Sequence, residues 1–332
     1  MKTTCIFSII IVMILFSLRT NAQNWDQIVK TCASDRNGEE YYGKSVAIDG
    51  DFAIVGAWGQ DRDALGNNYL PQAGAAYILQ NINDSWVEIQ KITASDRASE
   101  DNFGYAVDIK GDYAVVGAWR VTDYSNSPNI IWTAGAAYVF HNNEGTWEET
   151  QKIIPLDGKK NQYFGNSVSI DGDYIVIGAF NDNKSAIITD TLTSAGSIYV
   201  FKKSGANWTQ TQKIVPSDRA AADFFGFSVD ICGDYIIAGA YNKHKDAIIS
   251  AGAAYVFYYN DSVWSEIQKL VSPELKTQGY FGSDVAINDN FAVVGAYGEG
   301  EGGTLANAGS AYIYSNPGAG ANLTFHSKII AS

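Results

Sequence analysis

One motif occurs five times along this chain and constrains its fold more than any other feature. Each copy begins with an aromatic residue followed by glycine, continues through two short apolar segments joined by a tight turn, and ends in Gly-Ala and then Ala-Gly. The first glycines lie 61, 61, 61 and 56 residues apart, at Gly43, Gly104, Gly165, Gly226 and Gly282. A repeat of this length with four short strands predicts an all-β propeller, in which each blade buries its faces against its neighbours.

The first two strands of each repeat are predicted by a hairpin signal. In the first repeat, the apolar segments 45–48 and 51–57 flank Asp49-Gly50, and Asp-Gly between two apolar segments is typical of a two-residue hairpin turn. The acidic residues of this turn recur in other repeats, which favours a structural role. The second segment is apolar at nearly every position, as expected for a strand covered on both faces.

The other two strands differ in character. The third, 75–79 in the first repeat, opens with small residues and is otherwise apolar. The fourth runs from a tryptophan to a lysine in four repeats, with Glu, Gln and Thr between them. We predict that this polar strand forms the outer edge of a four-stranded antiparallel blade, where its lysine would discourage edge-to-edge pairing.

Five full repeats are placed at about 41–101, 102–162, 163–223, 224–279 and 280–332. Residues 25–32, WDQIVKTC, form an additional copy of the fourth strand, and we predict that they close the ring. Residues 323–330 also resemble a fourth strand, however, and twenty-one strands are one too many for five closed blades. Since Ser332 aligns with Ser34 and Ser95, which precede Asp-Arg, we expect a fragment of a larger propeller.

The N-terminus predicts export. Residues 5–18 are almost wholly apolar, follow Lys2, and are succeeded by the small residues expected at a cleavage site after Ala22. We therefore assign 1–22 as a signal peptide and 23–332 as the propeller, secreted, periplasmic or on the cell surface. A membrane anchor is the alternative, but the apolar segment is shorter than the ~20 residues of a spanning helix, so we expect no transmembrane helix in the mature chain.

Charge and cysteine content limit the partners. Without residues 1–22 the chain carries 21 basic and 36 acidic side chains, a net charge of −15. This charge disfavours binding to nucleic acid or to anionic membranes. Cys32 and Cys232 lie in different strand types, and we expect two separate thiols, although a disulfide stays an alternative.

The motifs Tyr163-Phe164-Gly165, Gly178-Ala179-Phe180 and 195–199 (AGSIY) resemble those of FG-GAP repeat proteins, the bacterial relatives of the integrin α-subunit propeller. The resemblance covers residues 25–330. It implies a propeller, usually of seven blades, on secreted or surface proteins. It also implies ligand binding through the face that carries the loops between second and third strands.

The chain departs from the integrin-type pattern at the calcium loops. Integrin-type repeats carry Asp-x-Asp-x-Asp-Gly between the first and second strands, whereas the loop here has two residues. Asp49 with Asp51, or Asp171 with Asp173, supplies at most two carboxylates per turn, fewer than the six to eight oxygen ligands of Ca²⁺. We therefore expect no calcium at these turns and assign no metal or other cofactor.

A recognition surface is predicted where variable loops follow the second strands, at 59–72, 120–133, 181–194, 242–250 and 298–307. An aromatic residue precedes each loop. Because loops on a rigid scaffold often carry binding residues, we predict these aromatic residues as ligand contacts: Trp58, Trp119, Phe180, Tyr241 and Tyr297. Trp132 lies inside a loop and does not repeat, and we add it to the set. The alternative is that the repeating rings pack between blades.

Catalysis has less support. The three histidines, His141, His244 and His326, show no spacing typical of a metal pair or a catalytic triad. Acids on the innermost strands, Asp108, Asp230 and Asp284, could form a glycosidase pair in the channel, but hydrogen-bonded polar residues are the simpler interpretation. We predict a non-catalytic binding or adhesion module for a protein or glycan. The alternatives are a carbohydrate-active hydrolase and a structural surface spacer.

Overall fold

The computed structural model describes residues 29–123, 130–184, 191–300 and 307–330. The predicted signal peptide 1–22 and the first half of the predicted closing strand 25–32 lie outside these ranges, and the described residues 29–33 belong to no strand. Residues from Cys32 onward form one unit, distinct from the segment Met1–Thr31.

The described part of the chain consists of twenty β-strands and contains no helix. Blade 1 contains β1 (Val46–Asp49), β2 (Phe52–Ala57), β3 (Ala75–Ile82) and β4 (Ser85–Ile92). Blade 2 contains β5 (Ala106–Lys110), β6 (Tyr113–Ala118), β7 (Ala136–Asn143) and β8 (Thr146–Ile153). Blade 3 contains β9 (Val168–Asp171), β10 (Tyr174–Ala179), β11 (Ser197–Ser204) and β12 (Asn207–Ile214). Blade 4 contains β13 (Phe225–Cys232), β14 (Tyr235–Ala240), β15 (Ala253–Tyr259) and β16 (Trp264–Leu270). Blade 5 contains β17 (Phe281–Ile287), β18 (Phe291–Ala296), β19 (Ser310–Ser315) and β20 (Thr324–Ile330).

Every blade is one antiparallel sheet whose strands pair in chain order, with the polar fourth strand at the outer edge. The prediction of an all-β propeller with five four-stranded blades is therefore confirmed. The outer position of blade 5 is filled by β20, which pairs with β19 from Ser310–Ile330 to Ser315–Thr324.

The hairpin turns at the inner strands hold one another by hydrogen bonds. Asp49 pairs with Phe52, which leaves a two-residue loop, and Gly50 has φ 55°, as such a turn requires. The carboxylate of Asp49 accepts the N–H of Gly111 in the next blade at 2.9 Å, and Asp171 accepts that of Gly233 at 2.8 Å. The repeated turn acids thus have a structural role.

Neighbouring blades pack through apolar side chains and through a close backbone approach. Val115 of β6, for example, is fully buried against Val168 and Ile170 of β9 in the next blade. A Cβ placed on Gly239 would lie 1.9 Å from the carbonyl oxygen of Gly282, so only glycine permits this spacing. The same approach is made by Gly56, Gly117 and Gly178.

In blades 1 to 4, a glutamine of the outer strand joins that strand to the next blade. The side chain of Gln151 in β8 donates to the carbonyl of Trp208 at 2.8 Å and accepts the N–H of the same residue at 2.7 Å. Equivalent two-bond clamps start from Gln90, Gln212 and Gln268. In β20 the equivalent position holds Ser327.

The lysines of the outer strands do not act as we predicted. Lys213 is largely buried and lies 2.6 Å from Asp157, whose other oxygen accepts the hydroxyl of Tyr199 at 2.8 Å. The same Asp–Tyr–Lys network occurs with Asp35, Asp96 and Asp218. These lysines therefore join the connecting segment to the blade. The prediction that they discourage pairing at a free outer edge was wrong.

The described residues form four of these interblade interfaces, between blades 1 and 2, 2 and 3, 3 and 4, and 4 and 5. The corresponding surfaces of blade 5 and blade 1 face solvent. Val293 of β18 is 37% exposed, whereas its counterparts Ile54, Val115, Val176 and Ile237 are fully buried. Val46 and Ile48 of β1 are each 66% exposed, whereas no counterpart in the other blades exceeds 8%.

Candidate functional site

The innermost strands of all five blades line one central cavity of about 730 Å³. The hydroxyls of Ser45, Ser167 and Ser283 contribute to its wall, with the amide of Asn166. Aromatic rings contribute as well: Tyr105, Phe227 and Tyr297. The cavity thus combines hydrogen-bonding groups with ring faces, which is the composition of a small-ligand site.

In blades 1 to 4, polar side chains at the innermost strand accept hydrogen bonds from backbone N–H groups of the next innermost strand. The edge of such a strand that faces the channel has N–H groups without a strand partner, and these groups need acceptors. Ser45 accepts the N–H of Val107 at 3.0 Å, and Ser228 accepts that of Val285 at 3.1 Å. The serines at these repeat positions are therefore structural.

The predicted channel acids belong to the same system. Asp108 accepts the N–H of Ile170 at 2.7 Å, and Asp230 accepts that of Ile287 at 2.7 Å. Asp284, which is exposed, accepts the hydroxyl of Ser228 at 3.0 Å. Each acid also accepts the N–H of the residue that follows it.

Asp108 and Asp230 share one serine. The Ser169 hydroxyl lies 3.1 Å from Asp108 and 2.8 Å from Asp230, yet it has a single proton to donate. Burial, and then the charge of Asp230, raises the pKa of Asp108 to about 7, and burial raises the pKa of Asp230 as well. A protonated Asp108 that donates to Ser169 satisfies all three groups.

A continuous series of aromatic contacts borders the cavity at one end. We call it the aromatic arc, and it contains Tyr41, Trp58, Tyr105, Trp119, Tyr163, Phe180, Phe224, Phe227, Tyr241, Tyr280 and Tyr297. Centroid distances run from 4.3 Å for the stacked pair Tyr41–Trp58 to 6.5 Å for Trp58–Tyr105. Tyr280 and Tyr297 form another stacked pair at 4.8 Å, at the other end of the arc.

Five of the six predicted ligand contacts are members of the arc: Trp58, Trp119, Phe180, Tyr241 and Tyr297. They also pack between blades, because Trp119 contacts Tyr105 of its own blade and Tyr163 of the next. Packing and a partly exposed ring face occur together, since Trp119 is only half-buried and Tyr297 is exposed. Trp132, the sixth, is 50% exposed.

The other six members of the arc were not among the predicted ligand contacts. Those residues flank the Phe-Gly motif: Tyr41, Tyr163, Phe224 and Tyr280 lie two residues before its glycine, and Tyr105 and Phe227 directly after it. Blade 2 has Asn102 at the first position and Tyr105 at the second. The detectable signal is an aromatic residue at one of these two positions in every repeat.

Cations lie over two rings of the arc. Lys44 Nζ is 4.9 Å from the centre of Tyr105, and the Arg120 guanidinium is 5.8 Å from that of Trp119. Burial raises the pKa of Tyr105 and of Tyr241, so both phenols are neutral at physiological pH. The site offers hydroxyl donors, neutral rings and few exposed charges.

Other parts of the described chain offer little chemistry. No group of three or more His, Cys, Asp and Glu residues within it could hold a metal ion. Cys32 and Cys232 are free thiols, as we predicted. None of its segments is a helix long and apolar enough to cross a membrane.

Comparison with protein families identifies the repeat. The FG-GAP repeat family matches residues 25–79, 86–140, 147–201, 208–257 and 264–314. Each match starts at the tryptophan of an outer strand, or at Trp25, and ends in the next third strand. No curated protein matches the chain. The five matches cover most of its length, and we conclude that the chain belongs to the FG-GAP repeat family.

Proposed function

We propose that this protein is a non-catalytic binding module that takes a glycan at the aromatic arc. The observation that carries the proposal is the continuous arc of eleven rings at the border of a polar cavity. Sugar rings present apolar C–H faces that stack on aromatic rings. A sugar hydroxyl can also donate to the Ser167 oxygen in the cavity wall, which keeps acceptor capacity while its own proton goes to the Gly226 carbonyl.

The rings are held in place before a ligand arrives. Trp58 is stacked on Tyr41 with an angle of 7° between the planes, and Tyr297 on Tyr280 with 16°. A rigid ring loses little conformational freedom when a ligand stacks on it, so more of the contact energy contributes to affinity. An adhesion role outside the cell would follow from the predicted export of the chain.

The hydrogen bonds of the channel acids favour this proposal over a glycosidase. A glycosidase needs one carboxyl group to protonate the leaving group and a second to attack or to activate water. Asp108 and Asp230 are instead each bonded to backbone N–H groups of two strands, with the Ser169 hydroxyl between them. Their oxygens are thus already engaged within the wall of the cavity.

A glycan array probed with the chain from Gln23 onward tests the proposal. Hits are then measured by calorimetry with Tyr41→Ala and with Tyr297→Ala, which truncate exposed rings at the two ends of the arc. Loss of one stacking partner should weaken binding about fivefold to tenfold. Leu156→Ala, an exposed apolar residue in the segment between β8 and β9, is the matched control. Binding that both arc variants leave unchanged refutes the proposed site.

A further inference from the structure

The exposed faces of blade 1 and blade 5 are the two halves of an interface that this chain already forms four times. We call the exposed surface of blade 5 the forward face and that of blade 1 the backward face. The forward face contains Phe291, Val293 and Gly295 of β18 and Ile329 of β20. Ile329 is 52% exposed, whereas its counterparts Ile92, Ile153, Ile214 and Leu270 are buried.

We propose that the forward face of one molecule binds the backward face of a second copy of this chain, in a head-to-tail arrangement. The two faces are complementary because repetition makes them so. Apolar residues at the positions of Val46, Ile48 and Val293 are in contact across each formed interface. Apolar surface that one chain leaves exposed at both ends is most simply covered by another copy.

An aromatic pair defines the register of the proposed contact. At three of the four formed interfaces the first residue of a second strand packs edge-on against a tryptophan of the next blade, as Phe52 does on Trp147 at 5.6 Å and Tyr113 on Trp208 at 5.7 Å. Blade 5 has Leu323 at the tryptophan position. Phe291 occupies the position of Phe52 in blade 5 and is 44% exposed. Trp86 of blade 1 is only half-buried, whereas Trp147, Trp208 and Trp264 are buried. Phe291 of one copy therefore fits Trp86 of the other.

The glycines at the two faces permit the close approach. A Cβ on Gly295 would have Ser283 as its nearest neighbour, at 3.5 Å, and one on Gly43 would meet nothing within 4 Å. At the formed interfaces the counterpart of Gly295 receives the carbonyl of the next Phe-Gly glycine. Gly295 thus has space for a carbonyl oxygen, and the Gly43 carbonyl is the equivalent group of blade 1, but the two do not meet within one chain.

The contact differs from an intrachain interface in one respect. Ser327 replaces the clamping glutamine of the other outer strands. Phe325 occupies the position at which the other blades have a Glu or Gln that accepts a hydrogen bond from a backbone N–H of the connecting segment. The contact between copies is therefore apolar, without the two-bond clamp. Its strength should depend on protein concentration and only weakly on salt.

Sedimentation velocity of the secreted chain, from about 1 to about 200 µM, tests the proposal. The chain should associate, and Val293→Lys or Val46→Lys should weaken the association at least tenfold, because each places a charge in an apolar contact. Both positions are exposed in the single molecule, so folding should be unaffected. Val263→Lys, at an exposed position in the β15–β16 hairpin, is the control.

A mixing experiment separates head-to-tail pairing from other modes. Val293→Lys retains an intact backward face, and Val46→Lys retains an intact forward face. An equimolar mixture should therefore form 1:1 dimers and nothing larger, whereas each variant alone stays monomeric. A wild-type chain that stays monomeric over the whole concentration range overturns the proposal. In that case a different protein or a further segment would be the partner of the two faces. Association that neither variant weakens, or a mixture without dimers, also overturns the proposal.

Discussion

A pair of glycine substitutions tests whether blade spacing is set by backbone contact. Gly239 and Gly295 occupy the same repeat position, and neither has a positive φ, so steric space alone distinguishes them. Alanine at 239 would place its Cβ 1.9 Å from the Gly282 carbonyl oxygen, inside the 3.0 Å that real Cβ atoms respect. The two blades would have to separate by about 1 Å at this point, and overpacking of this kind costs about 3 kcal/mol.

Alanine at 295 has room, because its nearest neighbour is at 3.5 Å. It should stabilise the strand by about 0.5–1 kcal/mol, since glycine loses more backbone freedom on folding. Urea unfolding followed by tryptophan fluorescence, at a concentration where the chain is monomeric, measures the free energy of unfolding of both variants. Hydrogen exchange then shows whether Gly239→Ala loosens blades 4 and 5. Equal stability of the two variants would refute the reasoning.

Three further outcomes are expected. Because burial raises the pKa of Asp108 to about 7, the native state retains a proton that the unfolded chain releases near pH 4. The contribution of this carboxyl group to the stability of the native state is therefore complete below pH 4 and is lost as the pH rises through 7. Asp108→Asn should flatten the decline of the melting temperature over that range, and an unchanged slope contradicts the assignment. Gln151→Met removes both hydrogen bonds of a clamp and should lower the free energy of unfolding in denaturant by about 1–3 kcal/mol. The control Ser327→Met, at a position without a clamp, should lower it by less than about 0.5 kcal/mol. Burial and a hydrogen bond to Asp289 raise the pKa of Cys232 to about 11. Iodoacetamide at pH 8 should therefore label Cys232 at least tenfold more slowly than the exposed Cys32. Comparable labelling rates of the two thiols, measured by mass spectrometry, would count against the raised pKa.

The architecture was predictable because the repeat carries it locally. Asp-Gly turns, apolar second strands and tryptophan-led fourth strands each indicate their element within a few residues, and register then follows from a two-residue loop. Five copies in register make the four-stranded blade evident. Even so, β13 and β17 begin earlier than expected, at Phe225 and Phe281, with a register shift in each.

The candidate site was predictable only in part, because its contacts link residues of different blades. Trp119 could be placed on a rim from its repeat position, but its packing on Tyr163 depends on how two blades are rotated against each other. The burial of Lys213 likewise depends on Asp157 in a connecting segment 56 residues earlier. Sequence periodicity shows that these residues recur and does not show which of them meet.

The unformed contact between blades 5 and 1 has a consequence for folding. Closing a propeller requires the first and last blades to meet across about 250 residues of chain, and the entropy of closing so long a loop slows folding. Among the residues that the structure describes, the clamps, the shared inner-strand acceptors and the Asp–Tyr–Lys networks join neighbouring repeats, as with Gln90 and Trp147. Each blade can therefore form once its predecessor is in place, and the chain can fold from its N-terminal end while its C-terminal end is still emerging from the ribosome.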